Sequence, residues 1–189
     1  IVTINGGTGA DTISVAAGDK TIALGASDDS AIDTITLTAV TGKNTVTGFV
    51  SAQDTFDING ALKTALSGDT TEVAGDVSAN TNTGATYAIE TAATGYVTED
   101  ENGTLIAADL TDLTKIATAI TGAFVFGDAG GDGANVEVFA VESDTTGTFG
   151  IYAWTQSAAG DTTVAAGELV ILGIVTGTNL AAADLDIGS

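Results

Sequence analysis

Histidine, cysteine, methionine and proline are all absent from this chain, and Lys and Arg together number 4 against 25 Asp and Glu. Each absence removes a class of chemistry. Zinc sites built from thiolate and imidazole are excluded, as are the Ser/His/Asp triad and the Cys/His dyad, which both need an imidazole. Without cysteine no disulfide staples the fold, a habit that fits bacterial surface proteins secreted without oxidative folding machinery. Aromatic residues make up 5% of the chain, with a single Trp, few for the aromatic platforms and deep clefts of carboxylate-pair glycosidases. Asp and Glu abound, but no pair among them can be nominated as a catalytic acid and base. The expectation is a protein that is not an enzyme.

What is present is acidity and small residues. A formal net charge of −21 over 189 residues repels nucleic acid and anionic lipid and attracts divalent cations. Neither a nucleic-acid partner nor membrane insertion is expected, since even the apolar run Leu169 to Val175 is far shorter than the roughly 20 residues of a membrane-spanning helix. The 44% hydrophobic content is that of a chain that folds. It opens in a β-type run, Ile1-Val2-Thr3-Ile4, with no Met and no leader pattern, which reads as a fragment of a longer protein.

A repeat of polar residue, Thr, then a branched or aromatic apolar residue recurs as Asp11-Thr12-Ile13, Lys20-Thr21-Ile22, Asp33-Thr34-Ile35, Asn44-Thr45-Val46 and Asp54-Thr55-Phe56. Gly, Ala, Ser and Asp fill the intervals, so each unit is a short strand followed by a turn. A period near nine residues suits a parallel β-roll in which each unit contributes half a coil, with Ile13, Ile22, Ile35 and Val46 pointing inward.

The first unit, Gly6-Gly7-Thr8-Gly9-Ala10-Asp11-Thr12-Ile13-Ser14, fits the pattern G-G-x-G-x-D-x-U-x at every specified position. It resembles the nonapeptide of repeats-in-toxin (RTX) proteins, in which glycine turns and the Asp carboxylate hold calcium between coils. The resemblance implies calcium as cofactor, with Gly6, Gly7, Gly9 and Asp11 at the ion. Glycine permits the tight backbone that aims carbonyl oxygens at a cation wanting six to eight hard oxygen ligands. The competing reading is a purely structural glycine turn. Asp28 and Asp29, about one coil beyond Asp11, are candidates for the opposite half of the site; a solvated acidic turn explains them equally well. In the second unit Lys20 replaces the liganding Asp.

Asn44 to Ile58 is similar to the D-T-V-x-D-F-x-x-x-x-D-x-L-D-L segment that closes RTX β-rolls in type I secreted proteins, with Gly48 where that pattern has Asp. Phe49, Phe56 and Ile58 are expected to cap the open end of the coil. Residues 61–104 form a small, polar connecting region, with a short helix from Ala61 to Leu66 and an irregular strand from Ala85 to Glu90 as candidate elements. In the last part, Ile106, Leu110, Leu113, Ile116, Ala117 and Ile120 recur at helical spacing, which predicts a helix near Asp109 to Thr121 stopped by Gly122. Runs at Ala123 to Phe126, Val136 to Glu142, Gly150 to Trp154 and Leu169 to Val175 predict strands of an antiparallel sheet, with Phe149, Tyr152 and Trp154 as core residues. The order of elements resembles C-terminal domains of type I secreted proteins, surface-layer proteins among them.

Two further loops carry carboxylates in a spacing that bears on ion binding. Ser157 to Glu168 has an EF-hand cadence through Asp161, Val164 and Glu168, but Ser157 and Ala159 stand where the first and third carboxylates belong, so a plain turn is preferred. Gly127 to Gly133 lacks the Lys and Ser/Thr of a phosphate loop and reads as a hairpin or mobile loop, with calcium at Asp128 or Asp132 as the alternative.

The expected architecture is mainly β: an N-terminal parallel β-roll with its capping segment (1–60), the connecting region (61–104), and an antiparallel β-rich domain with one amphipathic helix (105–189). The expected function is that of a structural module of a secreted, extracellular bacterial cell-surface protein, calcium-dependent in folding and self-associating as a lattice or filament. Cell-surface polysaccharide is a further candidate partner. The alternative is the secretion and folding tail of an RTX hydrolase or adhesin.

Overall fold

The computed structural model describes residues 1–25, 30–39, 42–60, 62, 77–79, 94–97, 105–126, 136–155, 157, 163–178 and 184–187. The chain is mainly β, with one α-helix among the described residues. The expected segments Ala61 to Leu66 and Ala85 to Glu90 lie outside them, except for Leu62.

The repeat units become strands that alternate between two sheets. β1 (Val2–Asn5), β3 (Lys20–Ala23) and β5 (Asn44–Phe49) pair in parallel in one sheet. β2 (Thr12–Val15), β4 (Thr34–Leu37) and β6 (Thr55–Ile58) pair in parallel in the other. Period-two alternation sends one face of each strand inward. Ile22, Ile35 and Val46 are fully buried and Ile13 is 7% exposed, as the repeat requires. The spacing is less regular than a nine-residue period. Val2 pairs with Lys20, eighteen positions on, but Asp33 and Asp54, which hold equivalent places, lie 21 residues apart.

Glycine marks where the turns stack. Gly42 has φ +113°, and a Cβ there would stand 2.7 Å from the Gly18 nitrogen. Gly48 has φ +88°, with the Gly25 carbonyl oxygen 2.9 Å from where its Cβ would be. The departure at Gly48 therefore has a steric reason: a side chain would collide with the turn on the preceding coil.

The C-terminal part adds to both sheets. β12 (Leu169–Gly177) lies parallel to β5, and β11 (Thr148–Thr155) and β10 (Val136–Glu142) follow antiparallel, with β8 (Thr94–Val97) parallel to β10 at the edge. The larger sheet is thus mixed, in the order β1-β3-β5-β12-β11-β10-β8. β13 (Leu185–Ile187) extends the other sheet beside β6, in parallel. One sheet accordingly runs through the boundaries drawn at residues 60 and 105. β9 (Phe124–Phe126), expected with the antiparallel strands, pairs instead with β7 (Val77–Ala79) in a small sheet of its own.

Two cores result, one on each face of β10, β11 and β12. The core between the sheets takes Ile13, Ile22, Ile35, Val46, Phe49, Phe56, Phe149, Ile151 and Val175. Phe49 stacks on Phe56 with ring centroids 5.1 Å apart, and the Phe149 edge meets Phe49 at 5.5 Å. The aromatic pair expected to cap an open coil is therefore enclosed by the strands that follow. The second core takes Phe139, Val141, Tyr152, Trp154 and Leu169 from the opposite face together with Leu110, Ile116 and Ile120 from the helical segment. Gly150 leaves room for the Tyr152 phenol, which would coincide with a Cβ there, and the Tyr152 hydroxyl donates to the Leu110 carbonyl at 2.7 Å.

The helical segment has a break that the periodicity does not show. A 3₁₀ turn covers Ala107–Thr111 and α1 covers Leu113–Ala123. Between them Asp112 is extended, and its carboxylate accepts the N–H groups of Thr114 and Lys115, which starts the α-helix afresh. Gly122 does not stop it; the helix runs through Ala123 into β9.

Candidate functional site

The first residue of each repeat unit precedes its strand or opens it, so alternation of strands between sheets sorts these residues onto two rims, one at the strand starts of each sheet. Asp11, Asp33 and Asp54 fall before β2, β4 and β6, while Lys20 and Asn44 open β3 and β5. One rim is acidic and the other carries an ammonium and an amide.

On the acidic rim the carboxylates stitch coil to coil. The Asp11 N–H donates to Asp33 Oδ1 at 2.9 Å, and the Asp33 N–H donates to Asp54 Oδ1 at 3.0 Å. Asp54 Oδ2 accepts the Val50 N–H at 2.8 Å. The Asp54 N–H donates to the Val50 carbonyl at 2.8 Å instead, and Asp184, which precedes β13, accepts the N–H of Ala52 in the same turn at 3.0 Å. Asp33, Asp54 and Asp184 are all buried. Carboxylates can remain there because backbone N–H groups point at them. The residue whose carboxylate meets the Asp11 N–H is Asp33, 22 positions away; Asp28 and Asp29 lie outside the described residues.

Asp11 heads this ladder and differs from its equivalents. Its Oδ2 is buried with no hydrogen-bond partner. It lies against the turn that begins at Gly6: a Cβ on Gly6 would stand 2.8 Å from Asp11 Oδ2, 3.3 Å from the Leu24 carbonyl oxygen and 3.5 Å from that of Ala23. The Gly6 N–H donates to Ala23 O at 2.8 Å, which docks this turn on the next coil. Gly7 and Gly9 adopt φ values of +96° and +108°, the left-handed backbone that the nonapeptide's glycines permit. The structure thus brings Gly6 and Asp11 together with a carbonyl from the neighbouring coil. One anionic and several neutral oxygens suit a hard cation in kind. Among the described residues no three His, Cys, Asp or Glu side chains converge as a metal cluster.

No family model, curated protein or solved structure matches this chain.

The other candidates resolve differently. Gly127 to Gly133, Ala159 and Asp161 lie outside the described residues. Glu168 is half-buried and bonded by the protein itself: it accepts Trp154 Nε1–H at 2.8 Å, the Ala165 N–H at 2.9 Å and the Ser157 N–H at 3.1 Å. Burial pushes its pKa up, but hydrogen bonds from Ser157, Trp154 and Ala165 outweigh that and hold it below the usual carboxylate value. Sequence reasoning missed this clamp and the bond at Asp184. The latter carried a faint signal, because Asp184-Leu185-Asp186-Ile187 repeats the polar-then-apolar cadence of Asp54-Thr55-Phe56-Asp57-Ile58.

Proposed function

We propose that this chain is a non-catalytic structural module of a secreted bacterial surface protein of the surface-layer or filament-forming kind, calcium-dependent in its folding and self-assembly. Its first six strands, alternating between two sheets with parallel pairing, support reading them as coils of a parallel β-roll similar to that of RTX proteins. The observation that carries the proposal is the buried, unpartnered Oδ2 of Asp11 beside the Gly6 turn and the Leu24 carbonyl. A carboxylate oxygen in that state is costly unless compensated. Asp11, with carbonyls of the glycine turn and Leu24, would hold calcium, which supplies the compensating charge. Free calcium then stabilises the fold by mass action outside the cell, and its scarcity in the cytosol keeps the acidic chain open for export.

The test is a thermal melt of the chain and of Asp11→Ala in chelator and in millimolar calcium, with particle size followed by light scattering and electron microscopy. A calcium-dependent rise in Tm that Asp11→Ala abolishes, with ordered sheets or filaments that dissolve in chelator, is the expected result. A calcium-stabilised monomer at high concentration favours the secretion-tail reading. No effect of calcium on Tm removes the calcium proposal.

A further inference from the structure

The rim opposite the aspartates holds a cation of its own. Lys20 Nζ donates to three backbone carbonyls of the turn before it: Ala16 O at 2.6 Å, Gly18 O at 2.8 Å and Ala17 O at 3.0 Å. An ammonium has three N–H donors, and all three find a carbonyl in one turn. The turn is built like that of the first unit. Gly18-Asp19-Lys20-Thr21-Ile22 repeats Gly9-Ala10-Asp11-Thr12-Ile13 nine positions later, and Gly18 has φ +92° where Gly9 has +108°. Lys20 is therefore the counterpart of Asp11, with the sign of its charge reversed.

Carbonyl oxygens aimed at one point repel one another, and a positive charge relieves the repulsion. In a metal-bound turn a divalent ion does this and a carboxylate balances it. Here the side chain brings the positive charge, and no anion is needed from Lys20. The neighbouring Asp19 is committed elsewhere: its Oδ1 accepts the Lys43 N–H on the next coil at 3.0 Å. Gly18 is also the surface on which Gly42 stacks, so the shape of this turn sets the seat of the coil that follows.

We infer that the Lys20 ammonium is the resident cation of the Ala16–Gly18 turn, taking the place of a metal ion, so that this rim of the coil closes without divalent cations. The consequence is a division of labour between rims: one turn closed by the chain itself, the other compensated from solution. The inference goes beyond the calcium proposal and stands on different atoms.

The experiment follows backbone amide shifts and hydrogen exchange at residues 16–20 and at Lys43 by NMR, in chelator and in millimolar calcium, for the native chain, Lys20→Met and Lys20→Asp. In the native chain these amides keep the same shifts and protection with or without calcium. Lys20→Met, which keeps an unbranched chain and loses the charge, exchanges at least about tenfold faster at these sites, the ratio set by roughly 1.4 kcal/mol of lost local stability. Lys20→Asp restores the acidic form of the repeat, so its turn opens in chelator and closes with calcium. Native amides that move with calcium, a Lys20→Met chain exchanging at the native rate, or a Lys20→Asp turn indifferent to calcium would each overturn the inference. Amides of Gly6 to Asp11 in the same spectra report on the calcium proposal separately; if they ignore calcium, that proposal fails and this one is untouched.

Discussion

The backbone N–H of Asp33 donates to the carboxylate of Asp54, 21 residues further along the chain and 3.0 Å away. Because Asp54 also accepts the Val50 N–H through its other oxygen, one buried side chain ties two coils and the turn leading into β6. Asp54→Ala should leave both donors without their acceptor and lower stability by about 2–4 kcal/mol. Asp54→Asn keeps one carbonyl oxygen and should cost roughly half as much. Urea unfolding followed by Trp154 fluorescence and far-UV circular dichroism would measure both; equal losses in the two variants would argue against the two-acceptor role.

Stacked turns predict a contrast between two glycines. Gly42→Ala places a Cβ against the Gly18 backbone at a positive φ, and should destabilise by more than about 1 kcal/mol. Gly167→Ala, with nothing within 4 Å of the added Cβ, should stay within about 0.5 kcal/mol of the parent. Paired melting curves decide it.

Glu168 should make the region around Trp154 acid-sensitive. Its folded pKa is depressed below the ordinary 4.5, so it stabilises the fold above that value and the contribution fades as pH falls through the folded pKa. Glu168→Gln should be less stable than the native chain near neutrality, and the gap should narrow as pH falls from the ordinary carboxylate value through the lower folded pKa. A gap that stays constant across an acid titration would show that the carboxylate's charge is not what matters.

Tyr152 predicts a response at the other end of the scale. Burial pushes its phenol far above the ordinary tyrosine pKa of 10.0, so the unfolded chain ionises first and stability falls as pH rises above that value. Absorbance near 295 nm should therefore show Tyr152 ionising only together with alkaline unfolding. Tyr152→Phe leaves the Leu110 carbonyl without this donor and should cost about 1 kcal/mol at neutral pH.

The parts of this fold that were legible in sequence are those written in short range. Ile13, Ile22, Ile35 and Val46 are buried where the repeat places them, and Leu110 and Ile120 face inward as the helical spacing requires. Local pattern carries no record of what lies across a sheet. The pairing of β5 with β12 joins Asn44 to Gly173, and nothing in either segment names the other. The bend at Asp112 escaped for a related reason: apolar periodicity runs unbroken through it, and only a capping carboxylate separates the 3₁₀ turn from the helix. The ladder is illegible for the same reason: Asp33 and Asp54 accept N–H groups from residues 22 and 21 positions earlier, and no local pattern marks a carboxylate for a partner that far away.

The covering of the early strands by distant ones has a kinetic consequence. The Ser51 N–H is bonded to Thr178 Oγ1 and the Ala52 N–H to Asp184 Oδ1, across 127 and 132 residues. Loop-closure entropy must be met before either contact forms, and topologies dominated by such contacts fold slowly. During synthesis, which makes the N-terminus first, the early strands can pair while Phe49 and Phe56 stay bare until Phe149 and the strands after it arrive. The chain then spends its assembly time with an apolar face uncovered, which makes the interval before β12 and β13 dock the stage most exposed to aggregation.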